Sequence, residues 1–485
     1  MFKLNDRRKF GWGLTSAWGE ERTFTDSLYH DNLHDFMQSR PSQTHRSLLA
    51  KPMWYTSSKY ISASLLLSVC LAIPACASTA EAPQKLAPQA AAPTVQLAQA
   101  SSAPASALSQ EQRFEAWKIR FIDEAAAKGY DRGSVSQLIN PATINDLALD
   151  RDREQPEFTK PLWSYVDGAA SASRINTGRD KLFATKATYD AVEARYRVPR
   201  NILTAIWGLE TAYGKILGSH DIISALSTFA FEGRRTSFGE QQLYAVLDML
   251  KAGDIRADQL TGSWAGAMGM TQFIPATFRD YAVDFNGDGN KDLWGNEGDA
   301  LGSAAHYLSR HGWRWAEPVM TEVSVTDGFD YSLVEGASKT INEWTALGVR
   351  PIGGQRWSQE AGFLEAKMIA PGGHRGPKLL TFKNFDVIKK YNNSTSYAMG
   401  ITVLAEALGG KAAITTPWPR DDKPISFEDK KAMQRKLNAL GYNVGGVDGQ
   451  IGPNTRKAIR AWQASRGLPA DGYVEQTIFA KLIAQ

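Results

Sequence analysis

The sequence predicts a mainly α (α+β) fold: a large helical core, a small β-containing subdomain and a separate small unit at the C-terminus. Three observations predict it. Apolar residues recur at helical spacing from Phe114 to about residue 316. Over residues 317–380 the pattern changes to short alternating runs, VMTEVSVT, FLEAKMI and KLLTFK, parted by Gly and Pro turns. The last sixty residues hold two short helical segments and a degenerate turn repeat. At 485 residues the chain is too long for one compact domain and long enough for two or three.

Apolar content of 43% and charged content of 22% describe an ordinary globular protein. A net charge of +4 lacks the dense basic patches of a nucleic-acid binder, so nucleic acid is not an expected partner. Fourteen Trp and sixteen Tyr suit sugar stacking, although buried core is the blander use of most of them. The two cysteines, Cys70 and Cys76, share one short apolar stretch, so the folded body is expected to have no disulfide.

That stretch, YISASLLLSVCLAIPACA at 60–77, follows Lys59 and ends in Ala75-Cys76-Ala77. It reads as a secretory signal and is short for a membrane span. About sixty residues precede it, and Met53 would open a signal of normal length. Residues 1–77 therefore read as an over-extended start plus a signal at about 53–77. The expected location is the periplasm. Ile73-Pro74-Ala75-Cys76 also resembles a lipobox, which keeps open a membrane-anchored lipoprotein with its lipid on Cys76. Residues 78–110, mostly Ala, Pro, Gln and Ser, read as a disordered tether.

The helical part opens with Phe114, Trp117, Ile119, Phe121 and Ile122. Its most informative stretch is VPRNILTAIWGLETAYG at 198–214. Pro199 suits a first helical turn and Gly214 a C-terminal cap. Leu203, Ile206, Trp207 and Glu210 then share one face. A carboxylate among apolar groups has a raised pKa and holds a proton near neutral pH, as an acid that cleaves sugar bonds must. A buried Glu paired with Arg234 or Arg235 fits the same spacing, which alone does not identify chemistry. Helix returns at 396–408, and Pro417, Pro419 and Pro424 mark a linker at 417–425.

Four motifs stand in order along the chain: Leu209-Glu210-Thr211-Ala212-Tyr213-Gly214; the segment from Gly262 and Ser263 through Gln272 and Phe273 to Pro275; Tyr281 to Phe285; and Tyr391-Asn392 through Tyr397. With them the chain resembles the B-type lytic murein transglycosylases from about Phe114 to Leu408. The resemblance implies a lysozyme-like helical core within a catalytic region at 111–416 and cleavage of the MurNAc–GlcNAc bond of peptidoglycan. By motif position, Glu210 is the catalytic acid/base, and Ser263, Gln272 and Phe273 line the cleft. Arg234, Arg235, Tyr307, Tyr391, Asn392 and Tyr397 contact sugar or steady the Glu. Bland roles compete: core for Tyr307, a solvated pair for Arg234 and Arg235, a helix-start cap of the GAMG segment for Ser263. Trp264 stands where the family often has Tyr. The implied chemistry uses one carboxylate where most glycosidases use two. Glu210 protonates the leaving oxygen, then takes the proton of the MurNAc C6 hydroxyl as that oxygen attacks C1. The product is a 1,6-anhydro sugar and no cofactor takes part.

Residues 284–292, DFNGDGNKD, place Asp284, Asn286, Asp288, Asn290 and Asp292 at alternate positions with Gly289 sixth. That is the opening of an EF-hand loop, which points to structural Ca2+. Position twelve is Gly295, which carries no carboxylate; the resembled family has a lengthened loop with a later acidic ligand, and the resemblance implies Asp299 for that role, or else Glu297. A metal-free turn loop is the plainer reading. At the C-terminus, the string DGQIGPNT at 448–455 is echoed by DGYVEQT at 471–477. Residues 426–485 resemble a three-helix peptidoglycan-binding domain, expected to hold the enzyme on glycan strands. Two readings compete with the lytic one: a hydrolytic muramidase using the same acid, and a wall-binding scaffold without activity.

Overall fold

The computed structural model describes residues 108–154, 161–233 and 235–485, and the side chains of 152–154 are not among those described. The signal segment, the tether up to residue 107, Cys70, Cys76 and Arg234 lie outside the described residues. No helix among the described residues is long and apolar enough to cross a membrane.

The first helix, Gln110–Ala127, starts at a capping box in which Ser109 and Gln112 each satisfy the other's backbone N–H. Phe114, Trp117, Phe121 and Ile122 face inward, but Ile119 is 61% exposed and does not belong to the apolar stripe. Behind this helix one large core gathers most of the helices from Arg132 to Arg310 together with Lys383–Tyr391 and Thr395–Leu408, while Ala148 of helix Asp146–Glu154 packs in a small separate cluster with Phe229 and Trp264. Helix Arg200–Thr211 runs through its middle, packed on Thr395–Leu408 and on Ala172–Ala184.

The β-containing part is a five-stranded antiparallel sheet. Its strands run in the order Lys339–Thr340, Glu365–Ile369, Lys378–Thr381, Met320–Val325, Val349–Pro351. The three runs with β character in the sequence supply its three central strands. Val323, Met368 and Leu380 cover a second core around Trp344, whose indole N–H donates to the Ala366 carbonyl at 2.9 Å.

Helices Phe427–Ala439, Pro453–Ser465 and Gln476–Ile483 close on a third core of Met433, Leu437, Ile459 and Trp462. The turn repeat has a bonding counterpart. Gly449 N–H donates to Gln434 Oε1 at 2.7 Å, and Gly472 N–H to Gln463 Oε1 at 2.8 Å. Each Gln amide N–H in turn reaches the Asp before the Gly, Asp448 at 2.9 Å and Asp471 at 3.0 Å. The repeated Asp-Gly is thus the half of each bond network that shows in sequence.

Candidate active site

Helix Arg200–Thr211 starts behind Pro199, which stands at the N-cap rather than inside the first turn. Leu203, Ile206 and Trp207 are fully buried, and Glu210 lies half-buried in the last turn. The helix ends earlier than Gly214 suggests. Ala212, Tyr213 and Gly214 take φ of 49°, 63° and 82° in succession. Two of these three carry side chains, so the turn is strained and needs holding. Tyr213 Oη donates to the Arg174 carbonyl at 2.8 Å. Its ring fills the space beside Gly178 and Gly208, where an added Cβ would come within 2.4 and 2.6 Å of it. Thr211 Oγ1 donates to the Met270 carbonyl at 2.7 Å and accepts from Gly214 N–H at 3.0 Å. The helix end that carries Glu210 is thereby tied to the loop opposite.

Among the described residues, Glu210 Oε1 accepts one hydrogen bond, from Tyr397 Oη at 2.6 Å. Burial pushes its carboxyl up from the ordinary 4.5 to about 7, with the Tyr397 bond opposing. The negative end of the helix dipole acts in the same direction as burial. Glu210 therefore carries its proton at neutral pH about as often as not. Tyr397 is buried in the first turn of helix Thr395–Leu408, and the Tyr391 ring lies parallel to it, 6.5 Å away. Burial, and then the Glu210 charge, drives both phenols well above their ordinary value, so they remain donors. Tyr391 Oη donates to the Thr271 carbonyl at 2.5 Å. Phe273 packs against both Tyr391 and Tyr307, at 5.8 and 5.9 Å between centroids. Tyr307 is buried, donates to the Lys390 carbonyl at 2.6 Å and stacks on His311 at 4.0 Å.

The loop 262–273 forms the other wall. Met268 and Phe273 exchange backbone hydrogen bonds of 2.9 and 3.0 Å. Gly269 must be Gly: its φ is 69°, and a Cβ would meet Leu293 at 2.7 Å. Gln272 takes the left-handed conformation, and its amide N–H group reaches the Gly269 carbonyl at 2.9 Å and the Leu217 carbonyl at 3.2 Å. Ser263 is buried, and its hydroxyl accepts from Ala267 N–H at 3.0 Å, capping the turn.

Of the residues singled out in sequence, the structure gathers Glu210, Tyr397, Tyr391, Phe273 and Tyr307 into one chain of contacts. Asn392 ends the helix behind Tyr391, half-buried. Arg235 stands apart, its guanidinium over Phe229 and Phe238 beside Trp264. Sequence reasoning passed over two residues. Thr211 lay inside a quoted motif without a role. Arg174, whose guanidinium reaches the carbonyls of Ala169 and Gly208 at 3.1 Å each, has no motif around it.

In the Asp/Asn loop, Asp284 accepts from the amides of Gly287, Asp288 and Gly289 at 2.7–3.2 Å. Asp299, fully buried in the first turn of helix Glu297–Arg310, accepts from Phe285 at 2.8 Å and Asp292 at 2.9 Å. Glu297 is engaged elsewhere, by Lys181 at 2.5 Å and Thr185 at 2.7 Å. Burial raises the Asp299 pKa, and the Asp284 charge adds to it, so the two carboxylates repel. A cation would relieve that repulsion. Among the described residues no three His, Cys, Asp or Glu side chains converge as a metal site. An ion here would need the amide oxygens of Asn286 and Asn290 beside Asp284, Asp288 and Asp299.

A half-buried carboxyl at a helix end, raised to about 7 and set beside tyrosine rings in a mainly helical body, is the kind of group that acid-catalysed cleavage of glycosidic bonds requires. The model of the transglycosylase SLT domain matches residues 113–406, and that of a peptidoglycan binding domain matches 428–482. The chain is 34% identical over 303 residues to membrane-bound lytic murein transglycosylase B of Escherichia coli (strain K12), covering 60% of this chain and 81% of that protein. The crystal structure of SltB3 from Pseudomonas aeruginosa in complex with NAG-NAM-pentapeptide is 43% identical, with a TM-score of 0.73 over 76% of this chain and 99% of that one. The Escherichia coli lytic transglycosylase SLT35 in complex with calcium is 28% identical, with a TM-score of 0.54 over 60% of this chain and 92% of that one. This chain belongs to the SLT transglycosylase family and is a lytic transglycosylase of peptidoglycan.

Proposed function

We propose that Glu210 is the single acid/base that cleaves the MurNAc–GlcNAc β-1,4 bond and leaves 1,6-anhydro-MurNAc ends. The observation that carries this is the place of Glu210: half-buried in the last turn of its helix, bonded among the described residues by Tyr397 at 2.6 Å, with burial raising its carboxyl to about 7. Among the described residues no second carboxylate bears on it. Two-carboxylate glycosidases need the second group as nucleophile or to activate water. With one group, Glu210 gives its proton to the glycosidic oxygen as the C1–O bond breaks, and the acetamido oxygen stabilises C1. The carboxylate so formed accepts the C6 hydroxyl proton while O6 bonds to C1. The internal nucleophile has a high effective concentration, so no bound water is needed. The Tyr397 O–H stabilises the ionised half of this cycle, and Tyr391, Phe273 and Tyr307 form the aromatic wall.

The Asp284–Asp299 loop holds a structural Ca2+ that takes no part in proton transfer. The enzyme works in the periplasm after removal of the signal at about 53–77, or on a lipid at Cys76, with the wall's glycan strands as its partner. The catalytic region is 111–416 and the wall-binding region 426–485. Digestion of purified sacculi, with mass spectrometry of the soluble fragments, tests the chemistry. Fragments one water lighter than reducing muropeptides, absent with Glu210→Gln, are expected. Reducing ends would mean hydrolysis. Binding without fragments from either protein would mean a scaffold.

A further inference from the structure

The helix that carries Glu210 gives up one of its own hydrogen bonds near its end. The N–H that would close the helix on Gly208, that of Ala212, donates to the Trp207 carbonyl instead, as the chain turns left-handed there. Arg174 supplies a donor in its place: its Nε–H reaches the Gly208 carbonyl at 3.1 Å. Arg174 stands in the first turn of helix Ala172–Ala184, whose N-cap Ser171 accepts from the Arg174 N–H. Its Nη1 donates to the carbonyls of Gly168 and, at 3.1 Å, Ala169, in the last turn of helix Leu162–Ala169. The last carbonyls of a helix have no partner within it, and a cation there also meets the negative end of the helix dipole. One planar guanidinium thus closes the C-terminal ends of two helices, in a fork that a lysine ammonium does not reproduce. The Arg174 carbonyl in turn accepts from Tyr213 Oη at 2.8 Å, and the Tyr213 ring supports the strained turn after Glu210.

The two helices that Arg174 joins stand behind the two sides of the Glu210–Tyr397 bond. Gly208 lies two residues before Glu210 on one of them. The other, Leu162–Ala169, packs against helix Thr395–Leu408, which carries Tyr397. The packing is close one turn after Tyr397, at Gly400. A Cβ there would stand 3.0 Å from both Tyr165 and Ala169, and 3.5 Å from Leu209, the neighbour of Glu210. Ala169 therefore touches the support of Tyr397 with its side chain and Arg174 with its carbonyl.

We infer that Arg174 is a positioning residue for the cleavage reaction: by tying helix Arg200–Thr211 to helix Leu162–Ala169 it sets the distance between the Glu210 carboxyl and the Tyr397 hydroxyl. This rests on the reading of Glu210 as the acid. A proton donor displaced by about 1 Å loses on the order of a hundredfold in rate, so a residue that never meets the sugar can govern kcat through such a tie.

The test uses Arg174→Met, which removes every donor, and Arg174→Lys, which keeps the charge but not the fork. On soluble glycan strands both should lower kcat by at least about tenfold and leave KM within about twofold. With the Tyr397 bond lengthened, ionised Glu210 loses stabilisation. The alkaline limb of kcat/KM should then move up by about one pH unit, and a 13C NMR titration of the Glu210 carboxyl should move with it. In a Tyr397→Phe background the same Arg174 substitutions should move neither further, because the bond they act through is already gone. A lowered kcat with an unmoved limb and carboxyl titration would overturn the inference, as would an equal shift in the Tyr397→Phe background. Failure of both variants to fold, read by thermal unfolding, would overturn it as well, since Arg174 would then hold the fold and not the pair. Release of anhydro fragments by Glu210→Gln would instead count against Glu210 as the acid, while the NMR titration still reports on the tie.

Discussion

Replacing Glu210 by Gln should abolish cleavage and, above neutral pH, stabilise the protein. The folded protein raises this carboxyl's pKa to about 7 against an ordinary 4.5. A raised acid binds its proton more tightly folded than unfolded. Between those two values the unfolded state therefore binds fewer protons, and stability falls as pH rises. Relative to Gln, the penalty is absent below 4.5 and complete above about 7. At 1.36 kcal/mol for each pKa unit the gap amounts to about 3 kcal/mol. Water reaching the half-buried carboxyl screens it and brings the expected range to about 1–3 kcal/mol. Gln keeps the shape and still offers Tyr397 an acceptor, so little else changes. Thermal unfolding of both proteins across the acid-to-alkaline range is the assay. The midpoints should coincide in acid and separate by a few degrees in alkali, with the variant higher. A difference that does not change with pH, or a variant less stable in alkali, would refute the assignment of a buried, proton-holding carboxyl.

Tyr397→Phe removes the bond that favours ionised Glu210, worth about 1.5–3 kcal/mol for a charged acceptor, and so raises its pKa by about 1–2 units. Because the acid must be protonated to act, the alkaline limb of the kcat/KM profile should move up in pH, and a downward move would contradict the geometry. Thr211→Val leaves the Met270 carbonyl without its donor and should cost about 1–3 kcal/mol of stability. It should also lower kcat more than it raises KM, with Thr211→Ser restoring both. Asp299→Asn removes a buried carboxylate of the Asp/Asn loop. Calorimetry should show at least about tenfold weaker Ca2+ binding and loss of any Ca2+-dependent gain in melting temperature.

The helix carrying Glu210 was legible because its core residues are local: Leu203, Ile206 and Trp207 repeat at the helical period and all are buried. Its end was not. Gly214 signals a cap, but the chain turns left-handed at Ala212, two residues before that Gly. What makes this possible is Tyr213 filling the space beside Gly178 and Gly208, a contact that no spacing rule contains. The partner of Glu210 lies 187 residues away, and periodicity carries no distance of that kind. Tyr397 could be named only through the family motif, and Arg174, which has none, could not be named at all.

The region after residue 416 shows a different limit. Pro417, Pro419 and Pro424 identify a segment that cannot continue a helix, and a linker is the natural reading of such a composition. Proline removes backbone donors but says nothing about the residues between. Among those residues, Trp418, Arg420, Asp421 and Asp422 each find a partner on the core or beside the sheet. Whether a proline-rich stretch is loose or bolted down is decided by distant residues such as Glu322, Trp163, Asp167 and Arg375. Glu322 makes the point most clearly. A carboxylate in an alternating strand reads as solvent-facing, yet it is buried, with Thr415 and Thr416, just ahead of the prolines, supplying three donors. Burying a charge is tolerated only when its hydrogen bonds are met, so strand and segment must have settled their positions together.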